Sequence, residues 1–370
     1  TLISIRDSAT GASVEFADSE SDTKYVASVD VRLDHAGASE VVFKGTTEFL
    51  ASAGIDIETT RNVRFDSDSA LNTVDGDISI AANMQDVASS GNFHGVLVGL
   101  NATISSAEGN ILVSGQSGGD NTSGVFVHTG SIVRSLATGN ITLEGIGASA
   151  SDSRGTLVNG GDISAVNGDI TIYGTGGQQG TVGAAHGVGI SGGAKVSTSG
   201  IGNITLEGQG GTSSGDYNNG VYVTHRNTEV TTESGNITMH GQGGGRGTSD
   251  TNSGVLIVAS GDQPDGATVR AGGAGNLTID GRGGTAAEGD LNHGVVVGGG
   301  ASASVGSGDL QITGAGGGSA ASGYNYGVSV DSAGVITSTG SGNVNVIGTG
   351  GNGSGDHNYG VRLHGVNSQL

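Results

Sequence analysis

Gly202-Asn203-Ile204-Thr205-Leu206-Glu207-Gly208 and, 18 residues after its first glycine, Gly220-Val221-Tyr222-Val223 together decide the fold. Ile204 and Leu206 fall on one side of an extended chain and Thr205 on the other, which is the two-residue period of a strand. Val221 and Val223 repeat it, and a weaker alternation follows at Glu229-Val230-Thr231. The block then returns. Gly235-Asn236-Ile237-Thr238-Met239-His240-Gly241 leads to Gly254-Val255-Leu256-Ile257, and Gly275-Asn276-Leu277-Thr278-Ile279 leads to Gly294-Val295-Val296-Val297. Gly308-Asp309-Leu310-Gln311-Ile312 leads likewise to Gly327-Val328-Ser329-Val330. Opening glycines stand at Gly76, Gly109, Gly139, Gly168, Gly202, Gly235, Gly275, Gly308 and Gly342, at intervals of 29–40 residues. The longest interval holds an insertion around Asp262–Gly266.

Self-similarity at this period means stacked units, each completing its core against its neighbours. Three short strands per unit, all advancing in one sense, predict an all-β fold: a single-stranded parallel β-helix, or β-solenoid. The preference for right-handed parallel crossovers sets the expected hand. At about 4.8 Å per coil, the repeats and the coils before them make a rod of about 50–60 Å. A sandwich would need hairpin turns between strands, and a propeller an aromatic blade signature. Neither occurs. Glycine at this density opposes helix, by about 1 kcal/mol per site against alanine.

Residues 76–370 form the regular glycine-rich array of about nine repeats of 29–40 residues. Residues 1–75 differ, with four glycines and four of the six phenylalanines: Phe16, Phe43, Phe49 and Phe65. Short alternating runs at Val14–Phe16, Val29–Leu33, Val41–Phe43, Ile55–Ile57 and Val63–Phe65 read as strands of tighter coils that include an end cap. A separate N-terminal β-domain is the competing expectation.

Composition narrows the function classes. Phe, Trp and Tyr make up 4 % of 370 residues, so the core is narrow and filled by Val, Ile, Leu and Ala. With 75 glycines but 1 proline and no strict triplet, collagen is excluded. The formal charge of −21 opposes binding to nucleic acid or an anionic membrane. Cysteine is absent, which removes disulfides and thiolate chemistry. No apolar run is long enough to span a bilayer as a helix. The start at Thr1, without a signal-like segment, is what a processed product or a part of a longer chain would show.

Each opening glycine is expected at a corner with positive φ, and the Asn or Asp after it is expected to cap that corner. Stacked equivalents such as Asn203 and Asn236, behind Gly202 and Gly235, suit amide ladders. The long loop ends in Asp216-Tyr217-Asn218-Asn219-Gly220, Asp290-Leu291-Asn292-His293-Gly294 and Asp356-His357-Asn358-Tyr359-Gly360. Asp120 and Asp250 keep the same offset from Gly124 and Gly254, while Gly183 and Gly323 interrupt the series. The aspartates either cap loop amides or form a file of calcium sites, since aligned carboxylates repel unless a cation intervenes. Asn218 and Asn292 read as ladder residues in the same loop.

The residue before the second strand's glycine is the strongest surface lead. It is His94, His186, His293, Tyr326 and Tyr359 in five of the repeats. Stacked rings there either pack on one another at a corner or offer a platform to a sugar or a protein. No catalytic set emerges. Lysine occurs at Lys24, Lys44 and Lys195 alone, and Asp290 with Asp356 approaches glycosidase spacing only if the Gly323 position between them leaves room.

The repeat style, Gly-Asn-Ile-Thr-Leu-x-Gly followed by Gly-Val-x-Val over roughly residues 76–365, resembles the repeat regions of large secreted bacterial surface proteins, of the filamentous haemagglutinin-like and autotransporter-passenger kind. The resemblance implies secretion to an extracellular or bacterial cell-surface location, a right-handed parallel coil and an adhesive or filament-forming role. The expectation is therefore a structural protein: a fibre or filament subunit, or an adhesin stalk, that self-associates end to end. The alternative is a carbohydrate-binding or polysaccharide-degrading β-helix. No cofactor is expected, calcium excepted.

Overall fold

The computed structural model describes residues 2–7, 11–17, 23–34, 39–260 and 265–370. Most of the insertion around Asp262–Gly266 lies outside the described residues. The chain winds into three parallel sheets of 12, 12 and 11 strands, one strand from each sheet per coil. Every strand pairs with its equivalents in the coils before and after it, and the described residues contain no helix. Leu2–Arg6, Ser28–Leu33, Ile55–Thr59 and Ile78–Ala82 are successive members of the first sheet, so that sheet runs unbroken across residue 75.

Register places like over like. Ile204 pairs with Ile237 and Leu206 with Met239, and these continue to Leu277 and Ile279. All six side chains are fully buried. In the second sheet, Val221, Val255, Val295 and Val328 form one inward file. Each added coil therefore covers the apolar top of the one below, which is where most of the stabilisation arises. In the N-terminal coils the same role falls to rings. Phe16, Phe43 and Phe65 stack at centroid distances of 4.7 and 4.4 Å, and Tyr25 stacks on Phe49 at 4.9 Å. The register then passes from Phe65 to Val98 and Val127.

Coil length changes mainly between the first and second strands, with one further extension between Val255–Val258 and Thr268–Ala271. Thr59 of the first sheet is followed by Asn62–Phe65 almost at once, whereas Ala82 is separated from Val96–Val98 by a long loop. That loop recurs in each later coil and carries most of the candidate site residues.

The reason for the opening glycines differs from the expected one. None of Gly76, Gly109, Gly139, Gly168, Gly202, Gly235, Gly275, Gly308 and Gly342 has positive φ. Close approach requires them instead: a Cβ on Gly235 would overlap the carbonyl oxygen of Gly202 directly beneath it, and the same holds for Gly202 over Gly168. The corners touch backbone to backbone. Substituting Gly235 by Ala must push two coils apart, and a loss of about 1–3 kcal/mol is expected. Chemical denaturation of G235A against outward-facing T238A checks it, the latter changing stability little.

Candidate functional site

Asn203 and Asn236 belong to a continuous side-chain column on the solvent side of the first corner. Each Oδ1 accepts the backbone N–H of the next coil: Asp169 from Asn203 at 2.8 Å, Asn203 from Asn236 at 2.9 Å, Asn236 from Asn276 at 2.9 Å. The column runs from Asp77 to Asn343. Asn203 Nδ2 also donates to Asp169 Oδ1 at 3.0 Å, so both ends of its amide are engaged.

A second amide ladder lies inside the long loops. Asn218, Asn252, Asn292 and Asn325 are fully buried. Here the order is reversed, with the earlier coil's N–H donating to the later coil's Oδ1. Asn218 donates to Asn252 at 3.0 Å, Asn252 to Asn292 at 3.1 Å, Asn292 to Asn325 at 2.8 Å, and Asn325 to Asn358 at 2.9 Å. Asn292 Nδ2 turns back to the Gly289 carbonyl at 2.7 Å, closing its own loop. Gly220 and Gly294 lie two residues on, where the second strand starts hard against the first, and their N–H groups reach Ser253 and Tyr326 carbonyls at 3.0 and 2.9 Å.

The aspartate file sits on the exposed side of the same loops. Asp216 Oδ1 accepts the N–H of Asp250 at 2.8 Å, Asp250 that of Asp290 at 2.6 Å, and Asp290 that of Gly323 at 2.7 Å. Asp120 accepts from Ser151 at 2.7 Å, and Asp356, in the last coil, takes the Tyr324 N–H on its backbone carbonyl at 2.9 Å. Stacked carboxylates thus gain a backbone donor from the next coil at the position where a cation would otherwise neutralise them. Among the described residues, no group of three or more His, Asp or Glu is placed to hold a metal ion.

The ring edge is brought together but turned inward. His293 stacks on Tyr326 at 4.9 Å with planes 4° apart, and Tyr326 on Tyr359 at 5.9 Å. His293 and Tyr326 are buried, while Tyr359 is 50 % exposed. Each ring covers the face of the one below, so a flat platform for a sugar exists on Tyr359 alone. Arg362 closes over Tyr326, 4.9 Å from its centroid. The histidines serve as acceptors: His293 Nδ1 takes the Tyr326 N–H at 3.2 Å and His94 Nδ1 the Ser123 N–H at 2.9 Å. His186 packs against Tyr222 at 4.6 Å, apart from the other two. Burial pushes His94 and His293 down to about 4 and His186 to about 3, with nearby arginines adding to the shift.

A column next to the aspartates escaped the sequence reading. Tyr217, Thr251, Leu291, Tyr324 and His357 all adopt φ between 57° and 65°, the left-handed region that costs a non-glycine residue about 1 kcal/mol or more. Tyr217, Leu291 and Tyr324 are exposed there, and Tyr324 stacks on His357 at 4.7 Å. The available signal was their fixed place two residues before the second strand's His, Tyr, Asn or Ser, directly after an aspartate in every case but Tyr324, which follows Gly323; the positive φ is a tertiary fact.

Replacing Asn252 by Ala strands the buried Asn218 N–H and is expected to cost about 1–3 kcal/mol, whereas N236A, where water can substitute, costs less. Equilibrium unfolding of the two variants makes the comparison. The depressed histidines stabilise the fold fully above their unfolded pKa near 6.5; that stability is lost as pH falls from there towards 3–4, because the unfolded chain takes the proton first. H186Q should therefore lower proton uptake on unfolding near pH 5 by about one, read from the slope of stability against pH. An unchanged slope would mean the imidazole is solvated. No protein-family model, curated protein or solved structure matches the chain.

Proposed function

We propose that this chain is an extracellular structural rod, a fibre subunit or adhesin stalk of the kind found in filamentous haemagglutinin-like and autotransporter-passenger surface proteins. The observation that supports it most is the direction of the bonding. Backbone pairing in all three sheets, both asparagine ladders and the aspartate caps run along one axis. Pulling the ends apart loads many parallel hydrogen bonds at once, which suits a mechanical spacer.

Self-association end to end belongs to the same proposal. In the last coil Val344, Val361 and Leu363 are 38, 42 and 53 % exposed, whereas Leu310, Val328 and Val330 directly beneath are fully buried. At the opposite end, Leu2 and Ile3 are exposed while Val29 and Val31 one coil in are covered. Among the described residues, Leu2–Arg6 and Ser13–Phe16 at one end, and Val344–Thr349 and Val361–His364 at the other, pair on one side only, and such a strand edge is a template on which another copy continues the stack. The charge of −21 opposes association at low salt, so screening favours it.

Sedimentation velocity and electron microscopy test this reading. Association that grows with ionic strength and is abolished by L363D supports it; monomers at every salt concentration and protein concentration overturn the end-to-end arrangement.

A further inference from the structure

The outer face of the first sheet carries a groove that neither ladder uses. Its volume is about 430 Å³, and Tyr173, Glu207, His240 and Asp280 form one wall, with Gln209 and Arg282 on the other. The wall residues occupy a single register column, Tyr173 beside Glu207, Glu207 beside His240 and His240 beside Asp280. Gln209, Gln242 and Arg282 form the second column, two residues on. Between the columns runs a file of glycines. A Cβ on Gly208 or Gly241 would overlap the carbonyl oxygen of Gly220 or Gly254, so the sheet is drawn inward there and its outer surface is dished.

In the coils before it, the same outer column uses its polar groups internally. Arg6 pairs with Asp30 at 2.7 Å, Arg32 reaches Glu58 at 3.4 Å, and Ser114 donates to Glu144 at 3.2 Å. Tyr173, Glu207, Gln209, His240, Asp280 and Arg282 instead make no side-chain hydrogen bond, ion pair or ring contact among the described residues. In a chain whose loop polar groups are largely committed to ladders, six uncommitted ones converge on one dished floor.

We infer that this groove binds an extended, neutral β-linked glycan lying along the rod axis. Coil spacing of about 4.8 Å is close to the advance of one pyranose ring in such a chain, so each ring meets one residue from each wall. Glu207, Asp280 and Gln209 accept from sugar hydroxyls, Arg282 donates to ring or hydroxyl oxygens, and Tyr173 packs against a sugar's apolar face at one end. Two carboxylates against one guanidinium disfavour uronates, sulfated sugars and phosphates. An acidic glycan is therefore rejected and a neutral one accepted. The site is separate from the buried His293–Tyr326 stack and from the coil ends.

Titration calorimetry of the whole chain with cello- and chito-oligosaccharides of two to six rings, and with oligogalacturonate, tests the inference. Affinity should rise with length until the ligand spans the four coils of the groove and then level off, with the galacturonate series weaker. E207Q/D280N and Y173A should each weaken binding by roughly tenfold without altering the melting temperature, because these side chains face solvent; Y359A should leave it unchanged. No binding of any neutral oligosaccharide at millimolar concentration overturns the inference. So does binding that survives both groove variants or that is lost in Y359A. Rod assembly, read by sedimentation, is independent of either outcome.

Discussion

Parallel pairing in register is the constraint from which the other features follow. Once Ile204 sits over Ile237 and Asn203 over Asn236, every position becomes a column, and each column must tolerate its own repetition about 4.8 Å away. Apolar columns gain from it, since each methyl group packs on its equivalent. Amide columns gain as well, because an asparagine oxygen meets the next coil's N–H. Carboxylate columns would repel, and the structure answers by directing a backbone N–H of the next coil to each of Asp216, Asp250 and Asp290.

The two asparagine ladders run in opposite senses, and they differ in consequence. The outer one, through Asn236, stands in water and refines the corner. The inner one, through Asn252, replaces solvent for loop amides that are wholly enclosed. An unpaired buried N–H costs far more than an exposed one, so the inner ladder holds the long loops in one conformation. The histidines at the same corner work similarly: kept neutral by burial, His94 and His293 present Nδ1 as an acceptor to the coil above.

Glycine acts here mainly through absent volume. At the opening corner and beneath the first-sheet groove, backbone lies against backbone, and a side chain has no room. The left-handed positions, where glycine would relieve strain, are held by Tyr217, Leu291, Tyr324 and His357 instead. Large side chains at these strained, exposed positions line the loop surface of the rod. With the first-sheet groove, they give the rod two distinct outer surfaces, one aromatic at the loops and one polar and dished.

Period, strand alternation and the stacking of Asn203 over Asn236 were legible from the chain alone, because a two-residue alternation repeated at one interval leaves few ways to pair strands. The fold class follows from that, as do the ladder residues Asn218 and Asn292. What faces outward at a corner did not follow. The sequence left His293 and Tyr326 as either corner packing or an open edge; in the structure each ring covers the one below, Arg362 closes over Tyr326, and Tyr359 keeps an open face. Nothing in the sequence sets Glu207, His240 and Asp280 apart from other outward strand residues; the dish between them arises because the Gly208 and Gly241 backbone lies against that of Gly220 and Gly254. Repetition along the chain determined which residues share a column; the curvature of each coil, set by contacts between strands far apart in sequence, decided which columns water and ligands can reach.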